Sequence, residues 1–254
     1  MNTVLPLERA LLLAGILLTL PAFAFVTLRV RQGRQVLLRS IPGMDLMAQL
    51  VGRALEEGKS THLSVGVGKL GEESTAETMA GLTALDVLAE RCSATGVEPL
   101  VTVPDPALLP LTQDLIQERR TPSSAGRRTW ATMSQARFMG PDATAYAVGA
   151  MDTLQHEALS NSVTIGPFGP EFLLIGETGA REDLAQVAGT TNPEGLPYMK
   201  LTADHTLVGE ELFATGAYLA KWPSHLASLV IQDSVRLLIV LVIVLGVALR
   251  TTWG

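Results

Sequence analysis

Two long apolar segments lie at opposite ends of the chain and enclose a stretch in which short apolar runs alternate with polar ones. The first covers about residues 10–28 and the second about residues 226–249. A helix needs roughly 20 mostly apolar residues to cross the hydrocarbon core of a bilayer. The pattern therefore predicts one transmembrane helix within residues 1–40, another within residues 223–254, and a single domain at residues 41–222.

The second apolar segment is the weaker of the two. Its uncharged part covers residues 237–249, so a span has to include some of the stretch before it. Asp233 and Arg236 would then lie at the membrane surface, where their spacing of three positions lets them pair on one helix face. The alternative is a buried C-terminal helix of a soluble domain.

Arginines are distributed unequally around the first apolar segment. Arg29, Arg31, Arg34 and Arg39 follow it, whereas only Arg9 precedes it. Positive residues close to a span are retained in the cytoplasm. The sequence therefore predicts two spans in the inner (cytoplasmic) membrane, with the central domain in the cytoplasm and both termini outside.

A cleaved signal peptide is the alternative interpretation of the first segment. Residues 22–24, Ala-Phe-Ala, resemble a cleavage site with small residues at its first and third positions. The region before the apolar run is barely positive, and the arginines that follow it oppose export. These features favour an uncleaved anchor.

The central domain reads as strands that alternate with helices. Strands are predicted at residues 62–67, 98–103, 134–138, 162–165 and 185–188. Helices are predicted at residues 44–57, 75–92, 106–119, 142–159, 170–177 and 209–220. This alternation indicates an α/β fold, a Rossmann-like doubly wound parallel sheet of about five strands.

A glycine turn follows the first predicted strand. Gly66, Gly68 and Gly71 have the spacing of a dinucleotide-binding turn, and the pair Ser74 and Glu77 predicts a capping box at the start of the next helix. Such a turn brings a phosphate close to the backbone and to a helix N-terminus. The sequence therefore offers Gly66, Gly68 and Gly71 as cofactor-binding residues, without identifying the cofactor.

Other residues weaken that interpretation. Glu72 and Glu73 would repel a phosphate, and glycines in such turns often serve backbone geometry alone. Lys69 and Asp105 are the candidate polar groups at the carboxyl ends of the strands, where open α/β sheets bind ligands. Asp105 lies farther along the chain than the acidic residue of a dinucleotide site would. A solvated pair at the rim of the sheet is the alternative role for Lys69 and Asp105.

The net charge and the spacing of the titratable residues reduce the number of function classes that fit the sequence. The net charge of −6 argues against nucleic acid as a partner, because phosphate binding needs a basic surface. None of the four histidines has metal-ligand spacing to another, and no G-x-S-x-G motif is present. The sequence thus predicts no metal site and identifies no catalytic residue.

The densest group of titratable residues lies near the end of the central domain. It comprises Asp204, His205, Glu210 and Glu211. This group could be a metal or acid–base site. A helix N-terminal cap followed by an acidic first turn explains the same residues.

Several segments of the chain resemble an uncharacterised bacterial membrane family, domain of unknown function 6754. The segments are residues 81–82, 85–91, 101–106, 173–181, 186–190, 203–205, 209–211 and 216–219. The resemblance covers about residues 40–250, including the terminal helix. It implies a membrane protein with an α/β domain, and it implies no activity, cofactor or site residue.

Two functions from different classes follow from these patterns. The first is a membrane-anchored, non-enzymatic α/β module that assembles with copies of itself or serves as an accessory subunit of a membrane complex. The second is a domain that binds a small molecule or nucleotide at the glycine turn. Whether the chain is an enzyme stays open, although the residues favour the first function.

Overall fold

The computed structural model of this chain describes residues 7–33, 36, 38–119 and 135–253. Arg34 and Ser134, which entered the predictions of orientation and of the third strand, lie outside the described residues. The chain divides into two compact units, Ser40–Leu219 and Met1–Arg39 with Ala220–Gly254.

The helices and strands follow one another in a regular order along the chain. The described helices are α1 (Leu7–Arg31), α2 (Pro42–Glu57), α3 (Thr75–Thr95), α4 (Leu108–Glu118), α5 (Ala143–His156), α6 (Phe172–Arg181), α7 (Leu196–Thr202), a 3-10 helix (Gly209–Ala214), α8 (Thr215–Tyr218) and α9 (Pro223–Trp253). The strands are β1 (Ser60–Ser64), β2 (Pro99–Val103), β3 (Ala136–Phe138), β4 (Leu159–Ile165), β5 (Ala185–Thr190) and β6 (His205–Val208).

The six strands form one parallel sheet in the order β3-β2-β1-β4-β5-β6. This is the strand order of a Rossmann-type doubly wound sheet, whose topological switch point lies between β1 and β4. The predicted α/β fold with a parallel sheet is confirmed, with six strands instead of about five. The missed strand is β6, which has four residues and is followed by an acidic segment that resembles the first turn of a helix.

The two faces of the sheet differ in polarity because successive side chains of a strand point to opposite faces. The face towards α2 and α3 is mostly apolar. Its buried side chains include Leu63, Val101, Val103, Val163 and Ile165, together with the polar Thr61 and Asn161. The face towards α5 and α6 carries buried polar side chains, namely His62, Ser64, Thr102, Ser162, Thr164 and Gln186. An apolar cluster around Tyr146, Phe168 and Phe172 completes the core on this polar face.

Helix ends in the central domain were predictable where glycine ends them. Gly58 and Gly96 adopt left-handed conformations, with φ of 66° and 81°, and their amides bond to the last carbonyls of α2 and α3. The predicted capping box of α3 is wrong. Ser74 has helical φ and ψ of −75° and −1° and its side chain accepts no capping bond, while the Glu77 carboxylate reaches another loop.

The segment after β6 also differs from the prediction. A single helix was expected at residues 209–220, but the chain forms the 3-10 helix Gly209–Ala214 and then α8. Gly209 has a positive φ of 59°, and the Glu211 carboxylate accepts a bond from the Val208 amide at 3.2 Å. The acidic residues thus follow a strand and begin a tight turn.

The other unit contains α1 and α9, and α1 continues through Pro21. Within the described residues, one helix, Pro223–Thr251, is long and apolar enough to cross a membrane. None of its most apolar window is buried within the described residues. Asp233 and Arg236 pair on it at 3.7 Å, as their spacing predicted. The N-terminal span and the orientation stay predictions.

Candidate functional site

The glycine turn after β1 packs against the loop that follows β4. A Cβ atom on Gly66 would lie 2.6 Å from Pro167 Cδ, and one on Gly68 would lie 2.4 Å from Pro167 Cγ. These distances are too short for any side chain. The two glycines therefore permit close contact between the loops on either side of the switch point.

A backbone hydrogen bond joins the same two loops. The Val67 amide donates to the Pro167 carbonyl at 2.8 Å. Gly166, with φ of 149°, donates instead to the Gly189 carbonyl of β5 at 3.0 Å. A Cβ on Gly166 would lie 2.2 Å from the Val65 carbonyl oxygen. The loops after β1 and β4 are thus in direct contact at the switch point.

An acidic side chain lies beside these loops. The Glu77 carboxylate, in the first turn of α3, accepts bonds from the Thr190 hydroxyl at 3.3 Å and from the Thr191 amide at 3.4 Å, and it also bonds the Thr191 hydroxyl. The Phe168 amide donates to the Thr190 hydroxyl at 3.3 Å. A carboxylate held here by the ends of α3 and β5 would repel a phosphate.

The remaining residues of the predicted cofactor site have separate roles. Gly71 lies in an exposed loop with φ of 91°, and its amide donates to the Thr75 hydroxyl at 2.9 Å. Lys69 is exposed. The Asp105 carboxylate accepts a bond from the Ala107 amide at 2.9 Å just before α4. Within the described residues no ion pair joins Lys69 and Asp105.

Sequence reasoning missed a buried network of hydroxyls around His62. The imidazole contacts Ser162 Oγ through Nδ1 at 2.8 Å and Thr102 Oγ1 through Nε2 at 3.0 Å. The Tyr146 hydroxyl extends the network to Thr102 Oγ1 at 2.7 Å and to Ser64 Oγ at 2.5 Å. The alternation of His62 and Ser64 with apolar residues was the available signal.

Complete burial sets the protonation of this network. Burial lowers the pKa of His62 to about 4 and raises the pKa of Tyr146 to about 12. Both side chains are therefore uncharged at neutral pH. Both side chains are fully buried, and their hydrogen bonds connect β1, β2, β4 and α5.

An open cleft of about 580 Å³ lies at the opposite edge of the sheet from β3, along β6. Its lining residues come from the start of α2, the end of α7, and β6 with the turn after it: Ile41, Pro42, Gly43, Lys200, Ala203, Asp204, His205, Thr206, Val208 and Glu211. Most of the titratable group seen in the sequence thus lines the cleft. The contribution of α2 could not be predicted, because it lies far away in the chain.

Two carboxylates of the cleft have structural partners. Asp204 Oδ2 accepts a bond from the Gln186 amide at 2.8 Å, and Glu211 Oε2 accepts one from the Val208 amide at 3.2 Å. Among the described residues, no three His, Cys, Asp or Glu side chains are grouped so that they could bind a metal ion. The cleft therefore combines an edge strand, a lysine and two engaged carboxylates.

Comparison with known proteins gives the family alone. No curated protein and no solved structure matches the chain. The model of the family described as "Domain of unknown function (DUF6754)" matches residues 2–253, which confirms the resemblance found in the sequence. The chain therefore belongs to the family domain of unknown function 6754.

Proposed function

We propose that this chain is a membrane-anchored α/β module that acts by protein assembly and not by catalysis. The observation that carries the membrane anchor in this proposal is the apolar surface of α9. Its long apolar side chains from Leu237 to Leu249 are each at least 53% exposed. A surface of this kind is stable in lipid and unstable in water.

The free energy of inserting α9 into a membrane supports the proposed anchor. Each Leu, Ile or Val at the centre of a span favours insertion by roughly 0.3–0.6 kcal/mol. The eleven exposed Leu, Ile and Val residues from Leu237 to Leu249 then contribute on the order of 3–7 kcal/mol. Asp233 and Arg236 pair on the flank of this segment, so neither has to enter the hydrocarbon core alone.

The topology that we propose has two spans. Helix α1 exposes Leu17, Leu20 and Leu28, and its last turn carries Arg29 and Arg31. The arginines favour retention of that end in the cytoplasm. In this proposal the protein lies in the inner membrane of a bacterium, its central domain is cytoplasmic, and both termini are outside.

The contacts at the switch point argue against ligand binding at the glycine turn. Pro167 occupies the space in front of Gly66 and Gly68, and the Glu77 carboxylate lies beside the same loops. The alternative function, binding of a small molecule or nucleotide at residues 66–71, therefore has less support. The polar side chains around His62 are buried and do not form a site open to a substrate.

Membrane extraction of the full chain tests the anchor. We expect the protein to stay in the membrane pellet after alkaline carbonate treatment. The double substitution Leu241→Arg and Val244→Arg should release most of it, because two charges at the centre of a span cost about 5–7 kcal/mol. The matched control is Leu201→Arg, which adds a charge to an exposed leucine of the central domain. Complete release of the unaltered chain by carbonate would contradict the proposal.

Single-cysteine labelling tests the orientation. Cys92 is the only cysteine and it is buried, so a Cys92→Ala chain provides a background for reporters. A membrane-impermeant maleimide on intact cells should label Thr251→Cys and spare Glu194→Cys, which lies on the surface of the central domain. After membrane permeabilisation, both reporters should react. Labelling of Glu194→Cys in intact cells would contradict the cytoplasmic location.

A further inference from the structure

The edge of β6 directs backbone groups into the cleft. The Gln186 amide of β5 points towards β6, where it bonds Asp204, and Val187 pairs in register with His205. In a parallel ladder, alternate residues of a strand direct their backbone N–H and C=O to the same neighbouring strand. With this register, the backbone groups of His205 and Leu207 point towards β5. The backbone groups of Thr206 and Val208 then point away from β5. The bond from the Val208 amide to Glu211 agrees with that direction.

This edge has only some of the features that usually protect a sheet from pairing with another chain. Edge strands are commonly blunted by shortness, by proline, by lysine, by a bulge or by a covering segment, and β6 is short, with four residues. The strand His205-Thr206-Leu207-Val208 contains neither proline nor lysine, and its pairing with β5 is regular. The outward N–H and C=O of Thr206 thus form a short template for another strand.

Large exposed apolar side chains precede and follow β6 in the sequence, and Val208 at its end lines the cleft. Leu201, just before the strand, is 77% exposed, and Phe213, just after it, is 46% exposed. Val208 at the end of the strand is 38% exposed. Val208 thus offers an exposed apolar side chain at the end of the strand, within the cleft.

We propose that the β6 edge binds the β6 edge of a second copy of this chain, in antiparallel orientation about a two-fold axis. The inference rests on the proposed function, because membrane anchors confine the copies to one surface and raise their effective concentration. A two-fold axis makes the contact isologous, so that one surface serves both subunits. The product is a continuous sheet shared by two central domains.

The charges at the ends of β6 favour this partner and this direction. Lys200 is exposed before the start of the strand, and Glu211 follows its end. Antiparallel pairing brings the start of one strand to the end of the other, so Lys200 of each copy approaches the partner's Glu211. Parallel pairing would bring lysine to lysine and glutamate to glutamate. The Asp204 carboxylate, also near the start of the strand, is directed towards β5, where it accepts a bond from the Gln186 backbone amide.

The backbone groups of Thr206 and Val208 that point away from β5 also select a register for the pairing of the two β6 strands. The Val208 amide is already bonded to Glu211, whereas the N–H and C=O of Thr206 both face the cleft. The register that uses these groups places Thr206 opposite the partner's Thr206. Two N–H···O bonds form between them, and the two threonine side chains lie side by side on one face.

Substitution of Thr206 by proline tests the pairing in the full, detergent-solubilised chain. Proline removes an outward N–H that the ladder with β5 does not use, so the monomer should keep its fold. Because two hydrogen bonds are lost, the dimer dissociation constant should rise at least about tenfold. The control Thr206→Val keeps the N–H and the shape of the side chain, and it should dimerise like the unaltered chain. Mass photometry measures both.

Crosslinking and charge reversal test the register and the partner. In a Cys92→Ala background, Thr206→Cys should form a covalent dimer on mild oxidation, and Glu194→Cys should not. Lys200→Glu should weaken the dimer more than Lys200→Gln does, because only the first change brings a negative charge towards the partner's Glu211.

The outcomes separate this inference from the proposed function. A chain that resists carbonate extraction but is monomeric, or whose dimer is unchanged by Thr206→Pro, overturns the β6 pairing and leaves the anchor intact. A monomeric chain that loses a different co-purifying protein on Thr206→Pro also overturns it, because the occupant is then not a second copy. Release of the unaltered chain by carbonate overturns the proposed anchor, whatever its oligomeric state.

Discussion

His62 Nδ1 lies 2.8 Å from the Ser162 hydroxyl oxygen in the buried centre of the sheet. The two residues face one another on β1 and β4, the strands that border the switch point. Because no water reaches the imidazole, its contacts to Ser162 and Thr102 replace those that the ring makes in solution. The pairing of β1 with β4 therefore depends on His62 being uncharged.

Acid should destabilise the central domain through His62. The pKa of this residue is about 4 in the folded chain because of burial, against 6.5 when unfolded. The stability that this difference provides is complete above pH 6.5 and is lost as the pH falls towards 4, by about 3 kcal/mol in total. Thermal melting of the detergent-solubilised chain from pH 7.5 to 4.5 measures the effect.

The control for acid sensitivity is His62→Gln, which keeps a polar side chain but cannot titrate. It should be less stable at pH 7.5, and its melting temperature should fall less between pH 6.5 and 4.5 than that of the unaltered chain. Equal pH dependence of the two chains would assign the acid sensitivity to carboxylates and contradict a role for His62.

Removal of the Tyr146 hydroxyl should destabilise the same region. Tyr146→Phe leaves the Ser64 and Thr102 hydroxyls without their shared partner in a buried site. Each loss of this kind costs about 1–3 kcal/mol. The control is Tyr198→Phe, at a half-buried tyrosine, which should cost less. Chemical unfolding of the two variants measures the difference, and equal stability would show that the network contributes little.

Sequence patterns predicted those elements whose signals are local. Gly58 and Gly96 end helices because their left-handed backbone favours glycine, and this signal is visible in the sequence. The partners of His62 lie 40 and 100 positions away, so no local pattern shows them. Glu77 bonds Thr191, 114 positions away, and this tertiary contact replaced the expected capping box. The cleft was missed for the same reason.

Substitution of Gly68 by alanine should destabilise the packing at the switch point, and this effect should be measurable on the ligand-free chain. The added Cβ would lie 2.4 Å from Pro167 Cγ and 2.6 Å from Thr78 Oγ1, so the loops after β1 and β4 must separate. We expect Gly68→Ala to cost about 1–3 kcal/mol. Gly52→Ala is the control, because it lies in α2 without a positive φ and no atom lies within 4 Å of the added Cβ. Unfolding free energies should differ clearly between the two, and a fully stable Gly68→Ala chain would contradict the packed switch point.

The ion pair between Asp86 and Arg119 should stabilise the contact between α3 and the end of α4. Arg119 Nε and Nη2 each donate to one Asp86 oxygen at 2.7 Å, and the Asp86 side chain is only 11% exposed. Such two-point geometry exceeds an ordinary surface pair, so Asp86→Asn should cost about 1–2 kcal/mol. The matched control Glu177→Gln breaks an exposed pair with Arg181 and should cost less than about 0.5 kcal/mol. Equal melting temperatures of the two variants would mean that solvent screens the Asp86 pair as fully as the exposed one.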